Sequence, residues 1–395
     1  MKKNKILVVW PTHREDWILP FKELSNDFEF IFLAGVSKNE EVRNYTESFA
    51  QSVYWSKYTS AAHLLNELNL DKIIFMSVDS GLNMALNMVA KSRGVITYIL
   101  QHGIYTNYRD YRNREKIWRK QQTTASIKSY KASIGFSSLS WIKKSLHGSL
   151  KLNFIFIFLY VKGSQLIGPY WAAKHLSFEG KRPDYYLCFS PFNAVIHKET
   201  DRIDESRIYY VGSTELAKYL VKEKLLHMGK YYLHIDQAFA DNSFGEETVS
   251  RENMINFYLK INEYCLSQNS KLLIKLHPES YGSEWLPIHE NITYLRKVDN
   301  LNSYIQSAEG CFGFYSTMVI PAVYWRPTVL FSIYYSGLQE ALSDFEHVQI
   351  MSFSNFNIPD ISFAREVQKA EEIERKFFYQ SGRSSVELLT DILNG

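Results

Sequence analysis

The sequence predicts an α/β protein built as two Rossmann-like halves, and three observations carry that prediction. Strand-like and helix-like segments alternate from Ile6 to Gln101, the pattern of a parallel sheet covered on both faces. The alternation breaks over about 104–182, and a second alternating series opens at Tyr231. The 395 residues are enough for two domains with separate cores, and a hydrophobic share of 46% excludes wholesale disorder.

In order, Ile6–Trp10 reads as the first strand, Phe28–Ala34 as the second and Ser52–Trp55 as a short third, followed by a helical run to about Leu68. Lys72–Val78 is a strand, Asn83–Arg93 a helix and Ile96–Gln101 a strand. This half has no G-x-G-x-x-G and no G-x-x-x-x-G-K-[ST], so neither a dinucleotide nor a P-loop triphosphate is indicated. The stretch 104–182 is basic, aromatic and poor in acids, with Trp118, Trp141 and the apolar run Phe154–Tyr160 among its cations. An insertion of that length usually has a function of its own. Its composition suits an anionic membrane surface or a polyanionic acceptor. The plainer reading is a helical hairpin whose apolar side packs on the sheet while its lysines sit in water. Nucleic acid is not an expected partner: net charge is only +3 and no nucleic-acid motif accompanies the basic stretch.

Order resumes with strands at Pro183–Ser190 and Arg207–Ser213, and 214–229 reads as a helix and a crossing linker. The expected domains are therefore 1–228 and 229–395. The second half runs through a strand at Tyr231–Phe239, a helix at Arg251–Ser267, and strands near Lys271–Leu276, Ile292–Arg296, Gly310–Tyr315 and Thr328–Ile333. Helical tails at about 364–378 and 384–393 close the chain and are able to pack back on the first domain.

The strand Lys271–Leu276 stops at His277-Pro278. Proline cannot donate to a ladder and holds the preceding residue extended, which presents His277 at the carboxyl edge where open α/β sheets bind ligands. The strand Gly310–Tyr315 breaks at Ser316-Thr317 before a helix-like run. Hydroxyls there can cap the helix, whose first-turn N–H groups favour a phosphate. An imidazole and a phosphate cradle on nearby strand ends suit the departure of a nucleotide. Lys275 alternates with His277 and can meet a carboxylate or phosphate on the same face. Glu279, just after Pro278, can touch the ribose or base. Asp79 and Asp236 follow strands and are candidate bases or nucleophiles, and His102 can bind the acceptor or orient a carboxylate. Three cysteines in no zinc spacing suggest neither a disulfide framework nor a metal site. The N-terminus reads as a strand rather than a signal peptide, and Leu152–Leu159 is too short to span a bilayer, so the cytoplasm is the expected compartment.

Lys275-x-His277-Pro278 followed by Ser316-Thr317 resembles the His-Pro and Ser-Ser/Thr motifs of bacterial sialyltransferases and polysialyltransferases, and of Kdo transferases of capsule and lipopolysaccharide assembly. Leu100-Gln101-His102-Gly103, Val211-Gly212-Ser213 and Ile235-Asp236-Gln237-x-Phe239 are also similar to this group. The resemblance implies a GT-B fold with two Rossmann-like domains facing a cleft, the C-terminal one holding the nucleotide. It implies a CMP-activated sugar acid as donor, and the expected acceptor is a glycan or lipid-linked glycan, with peripheral attachment to the inner face of the cell membrane expected from the composition of 104–182. His277 would contact or protonate the leaving CMP phosphate, and Ser316 and Thr317 would bind it. The chain has no D-x-D, and a departing monophosphate can dispense with a metal, so no metal or other cofactor is expected. The acidic tripeptide that supplies the base in sialyltransferases is missing, and Asp79-Ser80-Gly81 is its nearest approach. The rival readings are a CDP-polyol phosphotransferase of the teichoic-acid type, a UDP-sugar epimerase on the same fold, and a non-catalytic scaffold of polysaccharide assembly.

Overall fold

The computed structural model describes residues 3–13, 15–40, 43–122, 137–213, 216–241, 249–363, 366–367, 370–379 and 383–395; at 16, 40 and 117–122 it describes the backbone. The side chains of Trp118, Arg119 and Lys120, all of Lys128 and Lys131 of the basic stretch, and part of the 364–378 tail lie outside that description. The chain divides into two units.

The first unit gathers Met1–Glu115, Lys128–Glu215 and Lys376–Gly395. Its seven strands are β1 (Lys5–Val9), β2 (Glu29–Gly35), β3 (Gln51–Tyr54), β4 (Lys72–Phe75), β5 (Ile96–Leu100), β6 (Tyr185–Cys188) and β7 (Ile208–Tyr210). They form one sheet in the order β3-β2-β1-β4-β5-β6-β7, and every pairing is parallel. A parallel sheet covered on both faces needs strands apolar on both sides, which Ile6-Leu7-Val8 and Ile73-Ile74-Phe75 supply, each at most 1% exposed. Ser60 and Ser80 cap the helices Ala61–Leu68 and Gly81–Ser92 by accepting the His63 and Asn83 N–H groups. The helix Glu15–Leu24 had no counterpart in the sequence reading, because Pro20 lies inside it and interrupts the helical signal. Between β5 and β6 come the helices Tyr108–Gln122, Ser138–Ser145, Asn153–Leu166 and Pro169–His175. Trp141, Ile142, Ile157 and Tyr160 from them join the core that covers one face of the sheet. The C-terminal helix Ser385–Asn394, opened by a Ser384–Glu387 capping box, sends Leu389 and Leu393 into the core on the other face.

The body of the second unit is Leu216–Arg375. Here β8 (Tyr231–Ile235), β9 (Lys271–Lys275), β10 (Ile292–Leu295), β11 (Gly310–Gly313), β12 (Thr328–Ser332) and β13 (Val348–Ser352) form a parallel sheet in the order β10-β9-β8-β11-β12-β13. The edge strand β13 is half exposed, so it lacks the continuous apolar run that revealed the central strands. The stretch 216–228, expected in the first domain as a helix and linker, contains one 3-10 turn, Ala217–Leu220, and belongs to the second unit. Its backbone is tied there by side chains: Asn302 and Gln306 amides donate to the Val221 carbonyl, and the Trp325 indole donates to Tyr219. In each sheet the chain starts inside the sheet, adds two strands to one side and returns to build on the other. The direction reverses between β1 and β4, and again between β8 and β11. Such switch points are where open α/β sheets bind ligands, at the carboxyl ends of the strands.

Candidate active site

In the second unit the carboxyl ends of β9, β8 and β11 lie side by side. His277 follows β9, and Ser316 and Thr317 follow β11. One strand separates them, which sets two strand spacings, about 10 Å, between their strand ends. Pro278 begins a short 3-10 turn, Pro278–Ser280, and His277 holds extended backbone at φ −65° and ψ 147°. The His277 Nδ1 accepts the Glu279 N–H at 3.3 Å. An Nδ1 acting as acceptor puts the proton of the neutral ring on Nε2. The ring is half-buried. Glu279 thus contributes through its backbone, with an exposed side chain. Lys275 is also half-buried. Its ammonium donates to the Leu276 carbonyl at 2.8 Å and the Tyr281 hydroxyl at 3.1 Å, both neutral acceptors rather than the carboxylate the sequence reading allowed.

The turn after β11 differs from the expected helix cap. The helix begins at Val319 and runs only to Trp325, with Met318 at the cap position. Ser316 Oγ accepts the Met318 N–H at 3.3 Å, and the Ser316 and Thr317 carbonyls accept the Val319 and Ile320 N–H groups. The first-turn N–H groups expected to be open to phosphate are therefore occupied at 318–320. The Thr317 hydroxyl makes no hydrogen bond among the described residues. Gly313 permits this tight turn, because a Cβ there would lie 2.6 Å from Val319 Cγ1.

Asp236 follows β8, between the two, but is turned inward and is only 4% exposed. The buried residues Ala238, Phe239 and Ala240 of the following loop pack over the strand end. Tyr258 donates to its Oδ1 at 2.8 Å; burial, then the carboxylate itself, push that phenol far above its ordinary range and keep it a donor. The outward-facing carboxylate expected at 236 is thus a buried partner of Tyr258.

Asp79 contrasts with it. It follows β4 at the switch point of the first sheet, and its side chain is 46% exposed. Tyr160 donates to Oδ1 at 2.6 Å, and the Lys181 ammonium lies 3.3 Å from the same oxygen. Burial, then Asp79, raise the Tyr160 hydroxyl above its usual range. Oδ2 has no partner among the described residues. Lys181 is itself buried and pairs with buried Asp201 at 2.7 Å. Burial opposes its charge, but Asp201 and Asp79 outweigh that and hold its pKa above the usual lysine value. Sequence reasoning missed this support: Lys181 sits in the basic stretch, where every lysine looks solvated. Next to β4, the end of β5 carries His102. The buried Gln101 fixes that turn by donating to the Gly103 carbonyl and the Asn193 side chain, both at 2.7 Å. The His102 ring lies 4.2 Å from that of Trp17 and 6.1 Å from that of Trp10. Among the described residues no three His, Cys, Asp or Glu side chains converge in a metal-holding cluster. A cavity of about 280 Å³ lies at the opposite, amino ends of β12 and β13, lined by Pro327, His347, Val348 and Phe363, away from all of these residues.

Solved structures share this fold. The glycotransferase of kitacinnamycin and the calicheamicin glycosyltransferase CalG4 each align at a TM-score of 0.56 and 12% identity, covering 100% of this chain and 98% of theirs. The spinosyn forosaminyltransferase SpnP aligns at 0.53 and 11% over the whole of both chains. No match was found among curated proteins. Two parallel sheets of seven and six strands, wound in this order, define the GT-B fold. Within that class, the chain belongs to the alpha-2,8-polysialyltransferase family, whose model matches residues 1–333.

Proposed function

We propose that the protein transfers a nonulosonic acid or Kdo from a CMP-activated donor to a surface glycan of capsule or lipopolysaccharide, working at the inner face of the cell membrane, to which 104–182 attaches it. The observation that carries the donor half of this reading is the His277 tautomer. With Nδ1 accepting a backbone N–H, Nε2–H is the ring's donor, at the same sheet edge as the Ser316-Thr317 turn. A positioned N–H and a free hydroxyl suit the charge that grows on a departing CMP phosphate. Lys275, held by neutral groups alone, adds positive charge at that edge. The reading involves no metal or other cofactor.

Asp79 is the better candidate for the remaining role. One oxygen is fixed by Tyr160 and Lys181 and the other is open, the arrangement of an oriented general base, or of a nucleophile if configuration is retained. His102, on the neighbouring strand end, would contact the acceptor. The test is calorimetric titration of CMP, CDP and UDP into the protein, repeated with His277→Ala and with Ser316→Ala/Thr317→Ala. Selective CMP binding, weakened in the Ser/Thr variant, supports the reading. A preference for CDP points to polyol phosphate transfer, and no binding of any nucleotide leaves a scaffold.

A further inference from the structure

The helix Asn153–Leu166 is apolar on both sides. Its inner face, Phe154, Ile157, Tyr160 and Val161, packs into the core of the first unit. Its outer face shows Leu152, Ile155, Phe156 and Leu159 to solvent at helical spacing, between 49% and 71% exposed, with Phe158 beside them. Five large hydrocarbon side chains on one short surface helix form a patch that monomers seldom leave bare. No helix among the described residues is long and apolar enough to cross a membrane.

Along the sequence that carries the patch, charge is of one sign. From Lys116 to Phe178 the sequence holds ten Lys and Arg and no Asp or Glu. Lys143, Lys144, Lys151 and Lys162 are exposed, and Lys143 and Lys162 lie within 6 Å of the Phe154 and Phe158 ring centres. A second copy of the chain is a poor occupant, since pairing the two patches would bring these lysines together, while Glu179, the acid next to Phe178, is already held by Lys91, Arg182 and Arg207. A hydrated polyanion would satisfy the lysines but leave the hydrocarbons in water. An anionic bilayer satisfies both.

We propose that the outer face of the helix Asn153–Leu166 lies flat in the acyl boundary of an anionic leaflet, with Lys143, Lys144, Lys151 and Lys162 at the lipid phosphates. This deepens, and rests on, the membrane-attached part of the function proposed above. It assigns the insertion to one helix and one orientation.

The experiment is flotation of the full chain with vesicles of phosphatidylcholine, or of equal parts phosphatidylcholine and phosphatidylglycerol. Binding is expected to the anionic vesicles, to fall with salt, and to weaken at least about tenfold in Lys143→Gln/Lys144→Gln/Lys151→Gln and in Phe156→Ser/Leu159→Ser. Because Cys188, Cys265 and Cys311 are buried, an environment-sensitive dye on Ile155→Cys reports this face. Its emission should shift to the blue on anionic vesicles alone. Absence of flotation, flotation unchanged in both variants, or a wild-type dimer that Phe156→Ser/Leu159→Ser dissociates would each overturn the proposal. CMP titration of the unmodified chain separates the two readings: no nucleotide binding beside salt-sensitive flotation sinks the transferase and leaves the docking face.

Discussion

Replacing Lys181 with Met tests whether the ion pairs behind Asp79 hold the first unit together. Lys181 is 4% exposed, and its ammonium lies 2.7 Å from Asp201 and 3.3 Å from Asp79. Asp201 is buried as well; burial would raise its carboxyl, but Lys181 outweighs that and holds it below the usual range. The variant leaves Asp201 with only the hydroxyls of Ser177 at 2.9 Å and Tyr186 at 3.0 Å. Stranding one charge of a buried pair costs about 3–5 kcal/mol, and the two hydroxyls place this site toward the lower end. Asp79 adds little to that figure, because its exposed carboxylate can rehydrate. Urea denaturation followed by circular dichroism measures the loss. Lys181→Met/Asp201→Leu removes both charges and should recover about half or more of it, so the two single costs should not add. A Lys181→Met cost below about 1 kcal/mol, or additive single costs, would refute the reasoning.

Three further outcomes follow from the same geometry. His197 packs between Tyr105 and Tyr186, and burial, with the Lys181 charge, lowers its pKa to about 4 against the opposing pull of Asp201. Its folded value lies below its unfolded value of about 6.5, so stability present above that pH is lost as pH falls toward 4, by about 3 kcal/mol in all. His197→Phe should flatten that loss in urea titrations at pH 7 and 5, and an unchanged slope would assign it elsewhere. Gly313→Ala should cost about 1–3 kcal/mol by crowding Val319 and should weaken CMP binding, and Val319→Ala should restore both; failure of that rescue would break the link between turn and site. Asp79→Asn should leave CMP affinity unchanged while lowering kcat about 10²–10⁴-fold, whereas a loss that large in Asp236→Asn with Asp79→Asn active would reverse their roles.

The two sheets were legible because central parallel strands buried on both faces read as short apolar runs. The strand missed, β13, is an edge strand whose residues beyond Val348 alternate between partly buried and exposed. His277 and Ser316-Thr317 were visible because proline and a hydroxyl pair punctuate strand ends. Their surroundings were not: the N–H groups at 318–320 are consumed by the turn itself, which spacing cannot reveal. Burial is set by tertiary packing, so the sequence could not sort Asp79 from Asp236. It could not see Lys181 either, since a buried lysine has the same neighbours in sequence as a solvated one. Likewise, the apolar run 154–160 predicted a helix with one packed side; that the other side stays bare depends on where Ile157 and Tyr160 anchor it.

The two units solve one structural problem twice, with different chemistry. In each sheet the fourth strand to form, β4 or β11, borders the switch point and runs into a helix. In each a glycine allows a close approach there: a Cβ at Gly81 would lie 2.8 Å from Ile142 of the helix Ser138–Ser145, and one at Gly313 would lie 2.6 Å from Val319. No repeat is apparent in the sequence, so the likeness is one of topology. The residue at the junction is what differs. Asp79 puts an anion at the first switch point, which opposes a phosphate there and suits the deprotonation of a neutral hydroxyl. Ser316 and Thr317 put hydroxyls at the second, with Lys275 and His277 two strands away on the same sheet edge, which suits a phosphate. On the function proposed above, a donor nucleotide at the second unit and an acceptor hydroxyl at the first would place neither group against a like charge.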